Sequence, residues 1–274
     1  MRETICLIAG GKNEGKSLPA FFKYHEWVDE ILLMDSFSTD NTEEICREYN
    51  RQCFKAEMGG DANKRHNLAL KTAKSDWVFL IDPDEFISDE LKNEIFEILD
   101  KGTDCAAFEN KRVNFFLDKP LRYGGWSGYS MKFFRKNSVS FNGDSFHEKP
   151  IIDGKIGRLK GEVRHYPSPN IHWILQKFNY ISEFDLKEYA NKHGELAEKQ
   201  FKWLLISKPF KNFWKCYIRK KGYKDGLHGF IYAMLMWAFD VIRICKYGER
   251  YLIKNPNIPA LNELPDPWEC RKKA

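Results

Sequence analysis

A chain of 274 residues, 43% hydrophobic and 15% aromatic, can bury a sizeable core, which excludes disorder as the starting expectation. Its formal net charge of +5 hides an asymmetry: residues 1–100 carry 12 Lys and Arg against 21 Asp and Glu, so an acidic first part precedes a basic remainder. The seven cysteines include no C-x-x-C pair, which argues against a zinc site or a disulfide framework and fits a reducing cytoplasm.

In chain order, short apolar runs at 4–9, 30–35, 53–56 and 76–82 predict strands, and the segments 19–27, 41–50, 61–74 and 88–99 between and after them predict helices. Asp40 or Asn41 can cap the second helix, Asp61 the third, and Ser88 precedes two acidic residues suited to a first helical turn. Such alternation implies a mostly parallel, doubly wound α/β sheet, whose ligands collect beyond the carboxyl ends of the strands. Strands are expected again in "CAAFEN", "SMKFFR" and "GEVRHY", helices from about residue 170, and an extended Pro-rich tail after 254. The start, Met-Arg-Glu-Thr before an apolar strand, does not read as a secretion signal. The ten-residue apolar run 230–239 is too short by itself to span a bilayer.

Gly10 to Ser17, "GGKNEGKS", fits the G-x-x-x-x-G-K-[ST] pattern of a phosphate-cradling P-loop. Pro19 opposes that reading. Proline suits the first turn of a helix and disfavours helical geometry just before it, so Lys16 and Ser17 should lie outside the helix whose amides would face phosphate.

The stretch "IDPDEF" carries more. Asp82, Asp84 and Glu85 follow an apolar strand. Alternate carboxylates on an extended segment project to one side and can share a hard divalent cation, Mg2+ or Mn2+, which would also relieve their mutual repulsion. Asp35 ends the second strand, where a carboxylate can accept ribose hydroxyls, and Asn13 and Glu14 end the first. These three strand ends are expected to converge on one crevice; Arg65 and Asn67 lie on the helix before the D-x-D strand, where Arg65 can meet a base or a phosphate or face solvent.

Taken in order, "GKNEG", "WVDEILLMDSFSTDNTEEICREY", "NKRHNLALKTAKSDWVFLIDPDE", "GGWSGYSMKFFRKN", "FHEKP", "GRLKGEVRHY" and "GYKDGLHGFIYA" resemble a family 2 glycosyltransferase of the GT-A fold, in its lipopolysaccharide-core β-glucosyltransferase-like branch. The resemblance implies a GT-A-type Rossmann-like, mostly parallel sheet with flanking helices and a C-terminal helical extension. It implies a domain over 1–168, a helical basic and aromatic extension over 169–254, and a tail over 255–274. It assigns Asn13, Glu14, Asp35, Arg65, Asn67 and Asp82 to the nucleotide-sugar and Asp82 with Asp84 to the metal. It notes Phe37 where the family usually has glycine, Pro83 where alanine is common, and Gly11 in place of a usual threonine.

The expected reaction is inverting transfer of a sugar from a nucleotide-sugar, a UDP-hexose in the first instance, to a lipopolysaccharide-core or other glycan or glycolipid acceptor. A single displacement needs one general base, for which Glu148 is the first candidate and Asp144 the reserve. His147 can orient the base or meet a phosphate, and Trp126, among glycines, can stack on an acceptor sugar. In residues 201–250, 11 Lys and Arg face three acidic residues and mix with Phe, Trp and Tyr, a composition suited to the anionic inner face of the cytoplasmic membrane. The rival is a helical pair whose aromatics pack inward. No nucleic-acid motif is present, and nucleic acid is not expected as a partner. Two other classes stand beside the enzyme: a P-loop NTPase or kinase, and a non-catalytic nucleotide-sugar-binding protein.

Overall fold

The computed structural model describes residues 2–56, 62–141 and 150–259, with residues 62–65 described by their backbone only. The expected alternation is present. The strands are β1 (Ile5–Gly11), β2 (Glu30–Asp35), β3 (Gln52–Lys55) and β4 (Trp77–Ile81), and the helices α1 (Leu18–Tyr24), α2 (Thr42–Glu48), α3 (Ala62–Thr72) and α4 (Asp89–Lys101). These four strands pair in parallel, in the order β3-β2-β1-β4. The sheet then continues with β8 (Gly128–Arg135) antiparallel to β4, β6 (Cys105–Phe116) antiparallel to β8, then β11 (Lys155–His165), with β5 (Glu85–Ile87) antiparallel to β11 at the edge. A short β7 (Lys119–Leu121) forms a hairpin with the end of β6, and β9 (Val139–Ser140) pairs with β10 (Ile151–Ile152). The result is a mixed sheet with a Rossmann-like parallel half and flanking helices.

Strand alternation divides the core in two. Ile5, Leu7, Ile31, Leu33, Trp77 and Phe79 pack with α1 and α4, while Cys6, Ile8, Leu32, Met34 and Val78 face Ala69 and Leu70 of α3 and Ala73 just after it. Phe133 of β8 stacks on Trp77 and Phe79, with ring centroids 4.6 and 5.8 Å apart. Local chemistry sets the helix starts. Ser88 accepts the Leu91 amide at 3.2 Å, as an N-cap should. Asp40, not Asn41, binds the Thr42 amide at the start of α2. Asp61 lies outside the described residues.

By contacts the chain divides into two compact units. One holds the residues up to Val113 with Gly128–His165; the other holds Asn114–Ser127 with the chain from Tyr166 on. The second unit consists mainly of α5 (Ile171–Phe184), α6 (Leu186–His193), α7 (Glu198–Phe213) and α8 (Gly226–Tyr247), with the hairpin containing β7. In it, Leu186, Tyr189, Ile244 and Tyr247 form one buried cluster, and Phe116, Leu121 and Ile174 another. With the turns at either end, α8 belongs to a helical stretch over Gly222–Ile253 that is long and apolar enough to cross a membrane by length and composition. The ten-residue apolar run understated this, because helix continues on both sides of it. Within the stretch, Asp240 is buried and bonded to Asn212 and Arg243 at 2.9 and 2.6 Å.

Candidate active site

Strand register sets the level at which the loops emerge. Gly11 of β1 lies opposite Asp35 of β2, and Ala9 lies opposite Ile81, the residue before Asp82. β2 and β4 flank β1, so their ends stand about 10 Å apart, twice the interstrand spacing. Between the ends of β1, β4 and β8 opens a cleft of about 800 Å³, lined among others by Gly10, Met34, Asp82, Ser130, Lys132 and Phe141.

Asp82, Pro83, Asp84 and Glu85 form a turn closed by the Glu85 amide on the Asp82 carbonyl at 2.9 Å. The turn, not an extended segment, directs the three carboxylates, and it sends them to different partners. Asp82 is half exposed in the cleft, with Arg112 Nη2 and Lys132 Nζ each 3.8 Å from its Oδ2. Asp84 Oδ1 lies 3.5 Å from His165 Nε2, at the end of β11. Glu85 is fully buried; it accepts the Asp82 amide at 3.0 Å, Lys132 Nζ at 2.5 Å, and Arg112 Nε. Burial opposes ionisation of Glu85, but the charges of Lys132, Arg112 and His165 outweigh it and pull the carboxyl from 4.5 down to about 2. The mutual repulsion expected of the carboxylates is therefore offset, at Glu85, by cations from β6 and β8.

The fit to a divalent metal can be tested on these groups. Among the described residues no three His, Cys, Asp or Glu side chains gather as a metal-holding group. Asp84 and His165 do place an oxygen and a nitrogen donor side by side at the cleft end of β4 and β11. Such a pair suits Mg2+ or Mn2+ when phosphate oxygens and water fill the remaining positions, the usual arrangement for Mg2+ on few carboxylates.

The loop after β1 differs from a P-loop. The amides of Asn13, Glu14 and Gly15 donate to Ser38 Oγ, Thr42 Oγ1 and Asp40 Oδ2 at 2.8, 2.9 and 3.0 Å. Those of Ser17 and Leu18 turn back to the Glu14 carbonyl. Side chains of residues 38–42 thus occupy the donors that a phosphate would need, and the NTPase reading fails on this geometry. Glu14 itself is buried, with Ser17 Oγ donating to its Oε2 at 2.5 Å. A Cβ at position 11 would fall 2.5 Å from Glu14 Cγ, which accounts for Gly11 in place of threonine. Phe37 has φ +54°, the left-handed region that favours glycine, so the turn keeps the glycine geometry despite the bulkier residue.

Asp35 is placed less simply than expected. It shares a sheet face with Leu33, whereas Met34 faces the cleft. Its buried carboxylate accepts the Ser38 amide at 3.2 Å, the Ser38 hydroxyl, and Lys55 Nζ at 2.5 Å. A ribose would reach it only after Lys55 moves. Asn13 is buried too, its Oδ1 accepting the Thr39 amide at 2.9 Å. Asn67 exchanges two hydrogen bonds with the backbone of Phe141, at 2.9 and 3.2 Å, and so pins the cleft wall. Arg65 lies on α3, its side chain outside the described residues. Asp144, His147 and Glu148 also lie outside them, but Phe141 and Pro150, the described residues flanking that segment, both line the cleft. Trp126 belongs to the helical unit, half-buried against Tyr232 at 4.8 Å and over Gly124.

Sequence reading had not singled out Arg112, Lys132 or His165 as site residues. The last stood in plain view in "GEVRHY", but its approach to Asp84 depends on the antiparallel pairing of β5 with β11.

An uncharacterized glycosyltransferase of Rickettsia felis is 24% identical, covering 89% of this chain and 88% of its own. The lipopolysaccharide core biosynthesis glycosyltransferase LpsC of Rhizobium meliloti is 25% identical over 93% of this chain and 94% of its own. Among solved structures, the mannosyltransferase PcManGT of Pyrobaculum calidifontis, determined with GDP-Man and Mn2+, gives a TM-score of 0.47 at 13% identity, covering 90% of this chain and 87% of that one. The family model described as glycosyl transferase family 2 matches residues 12–148, half of the chain. The chain belongs to glycosyltransferase family 2.

Proposed function

We propose that this glycosyltransferase moves a hexose from a nucleotide-sugar, a UDP-sugar first, to a lipopolysaccharide-core or related surface glycan, with inversion and with help from a divalent cation. The observation that carries the reading is Asp82 opening into a cleft beyond the carboxyl ends of parallel strands, with Lys132 beside it and, on the same turn, Asp84 next to His165 of β11. The similarity to LpsC along nearly the whole chain supports the choice of acceptor.

In this reading Asp84 and His165 hold the Mg2+ or Mn2+, with Asp82 beside them. When bound, the cation supplies Lewis-acid stabilisation of the charge that builds on the leaving diphosphate. The protein's own residues do the remaining work. Glu85 anchors Lys132 and Arg112 so that their positive charge stands at the diphosphate end of the cleft without reorganising during reaction. The Asn13–Ser38–Asp40 network fixes the loops that border the nucleotide end, and Asn67 secures the wall at Phe141. Glu148, carried by the segment between Phe141 and Pro150, takes the acceptor proton, with Asp144 in reserve.

The test is a donor-hydrolysis and transfer screen across UDP- and GDP-sugars, with Mn2+ and with chelator. Metal-dependent release of nucleoside diphosphate from one donor supports the proposal. Binding of a nucleotide-sugar with no turnover in the presence of glycan acceptors would favour the non-catalytic binder, and tight ATP or GTP binding with no sugar-nucleotide binding would overturn it.

A further inference from the structure

The helical unit carries an apolar surface that its own fold leaves uncovered. On α7, Phe201, Leu204 and Leu205 pack inward around Tyr247 and Leu186. The opposite side, at spacings of three, four and four residues, presents Trp203, Ile206, Phe210 and Trp214, which are 68, 58, 59 and 62% exposed. A helix serving only as core would be polar there. The inward-packing alternative for these aromatics is therefore not what the chain adopts. The surface continues onto the start of α8 through Leu227, Phe230 and Met234, with Phe230 in ring contact with Phe213 and Tyr217.

Cations frame it. Phe210, Phe213 and Trp214, with Lys211, Lys215 and Arg219, line a depression of about 760 Å³. Among the described residues none of those three cations has a carboxylate partner, whereas Lys202 nearby is paired with Glu198 at 2.5 Å. Lys220, Lys221 and Lys224 extend the exposed positive charge into the next turn. Large amphipathic rings ringed by unpaired cations match the boundary between anionic head groups and acyl chains.

We propose that this face seats on an anionic lipid bilayer, lying in the head-group region with Trp203, Phe210 and Trp214 inserted and Lys211, Lys215 and Arg219 on lipid phosphates. It lies on the membrane and does not cross it. The long apolar helix α8 keeps Ala233, Ile244 and Tyr247 buried and carries the paired Asp240 and Arg243 within its length, ionisable groups that are costly in a bilayer-spanning helix. The inference stands on this unit alone and is independent of the donor site.

The test uses the full chain with vesicles of phosphatidylcholine alone or mixed with phosphatidylglycerol, at low and high salt. Expected are co-flotation with the anionic vesicles only, release by salt, and quenching of tryptophan emission by lipids brominated near the head group. Lys211→Ala, Lys215→Ala and Arg219→Ala should each weaken partitioning about fivefold. Trp203→Ser with Trp214→Ser should remove the quenching while acceptor-independent donor hydrolysis stays unchanged. These side chains are exposed, and the wild-type quenching needs no variant. No binding to anionic vesicles overturns the proposal, as does salt-insensitive binding to neutral vesicles. It is overturned equally by self-association through this face without lipid binding, or by an oligonucleotide that displaces the protein from vesicles.

Discussion

Replacing Glu85 by glutamine removes one negative charge from a buried point that organises two cations while leaving the shape nearly unchanged. The carboxyl's fall from 4.5 to about 2 corresponds to about 3 kcal/mol of stabilisation of the folded state when Glu85 is ionised. Part of this survives in the variant. Lys132 and Arg112 retain some solvent, and Asp82 stands 3.8 Å from each. A net loss of about 2 kcal/mol is expected at neutral pH, a fall in Tm of about 4–8 °C in a chain of this size. The sign of the pH dependence is fixed by the lowered value. The wild-type advantage is fully present above pH 4.5 and is lost as pH falls toward 2. Urea unfolding of both proteins across this range gives the difference directly. A gap that stays constant from pH 7 to about pH 3 would refute the electrostatic account of the cluster, as would a variant as stable as wild type. The same substitution should raise KM for the donor by about tenfold, since Lys132 loses its anchor at the cleft; one tenfold is about 1.4 kcal/mol.

Asp84→Asn is expected to lower metal-dependent turnover at least about a hundredfold with Tm unchanged, read by donor release over a Mn2+ series; unchanged turnover would remove Asp84 from the metal. Glu148→Gln should leave calorimetric donor binding near normal and abolish transfer, and full activity would pass the base role elsewhere. His25 is buried and neutral, its Nδ1 bonded to the Phe21 carbonyl and its Nε2 to the Ile87 amide at 3.0 and 3.3 Å. Burial lowers it from 6.5 to about 4, so stability should fall as pH drops through that window, and His25→Gln should flatten the profile there. Gly161→Ala should destabilise by about 1–3 kcal/mol or more, because a Cβ would lie 2.3 Å from the Leu91 amide nitrogen and force β11 off α4. An alanine variant with wild-type Tm would contradict that packing.

The parallel half of the sheet was legible because its signals are local. Apolar runs such as "EILLMD", followed by capped helical segments, state both period and punctuation, and they put Asp82 at a strand end where the cleft opens. The remainder depends on contacts between residues far apart in sequence. Glu85 read as a third carboxylate in need of a metal; its compensation comes instead from Arg112 on β6 and Lys132 on β8, strands whose pairing no local pattern dictates. Asp35 was placed at the correct strand end, but the pleat turns it to the face opposite Met34, and Lys55, its register partner on the neighbouring strand β3, closes over it. Likewise "YGGWSGY" offered Trp126 for stacking on a sugar or for burial, and its half-buried position over Gly124 and against Tyr232 of α8 comes from a contact that no local pattern states.

The central claim is that the cleft at the end of β4 takes a nucleoside diphosphate together with a divalent cation. Calorimetric titration of UDP and GDP into the wild-type protein, with Mn2+ and with chelator, and into Asp84→Asn with Mn2+, tests it most directly. The account predicts one-to-one binding that strengthens at least tenfold with Mn2+ in the wild type, about 1.4 kcal/mol, and loses that gain in the variant. Binding indifferent to Mn2+ and to the substitution, or no nucleotide binding at all, would contradict it.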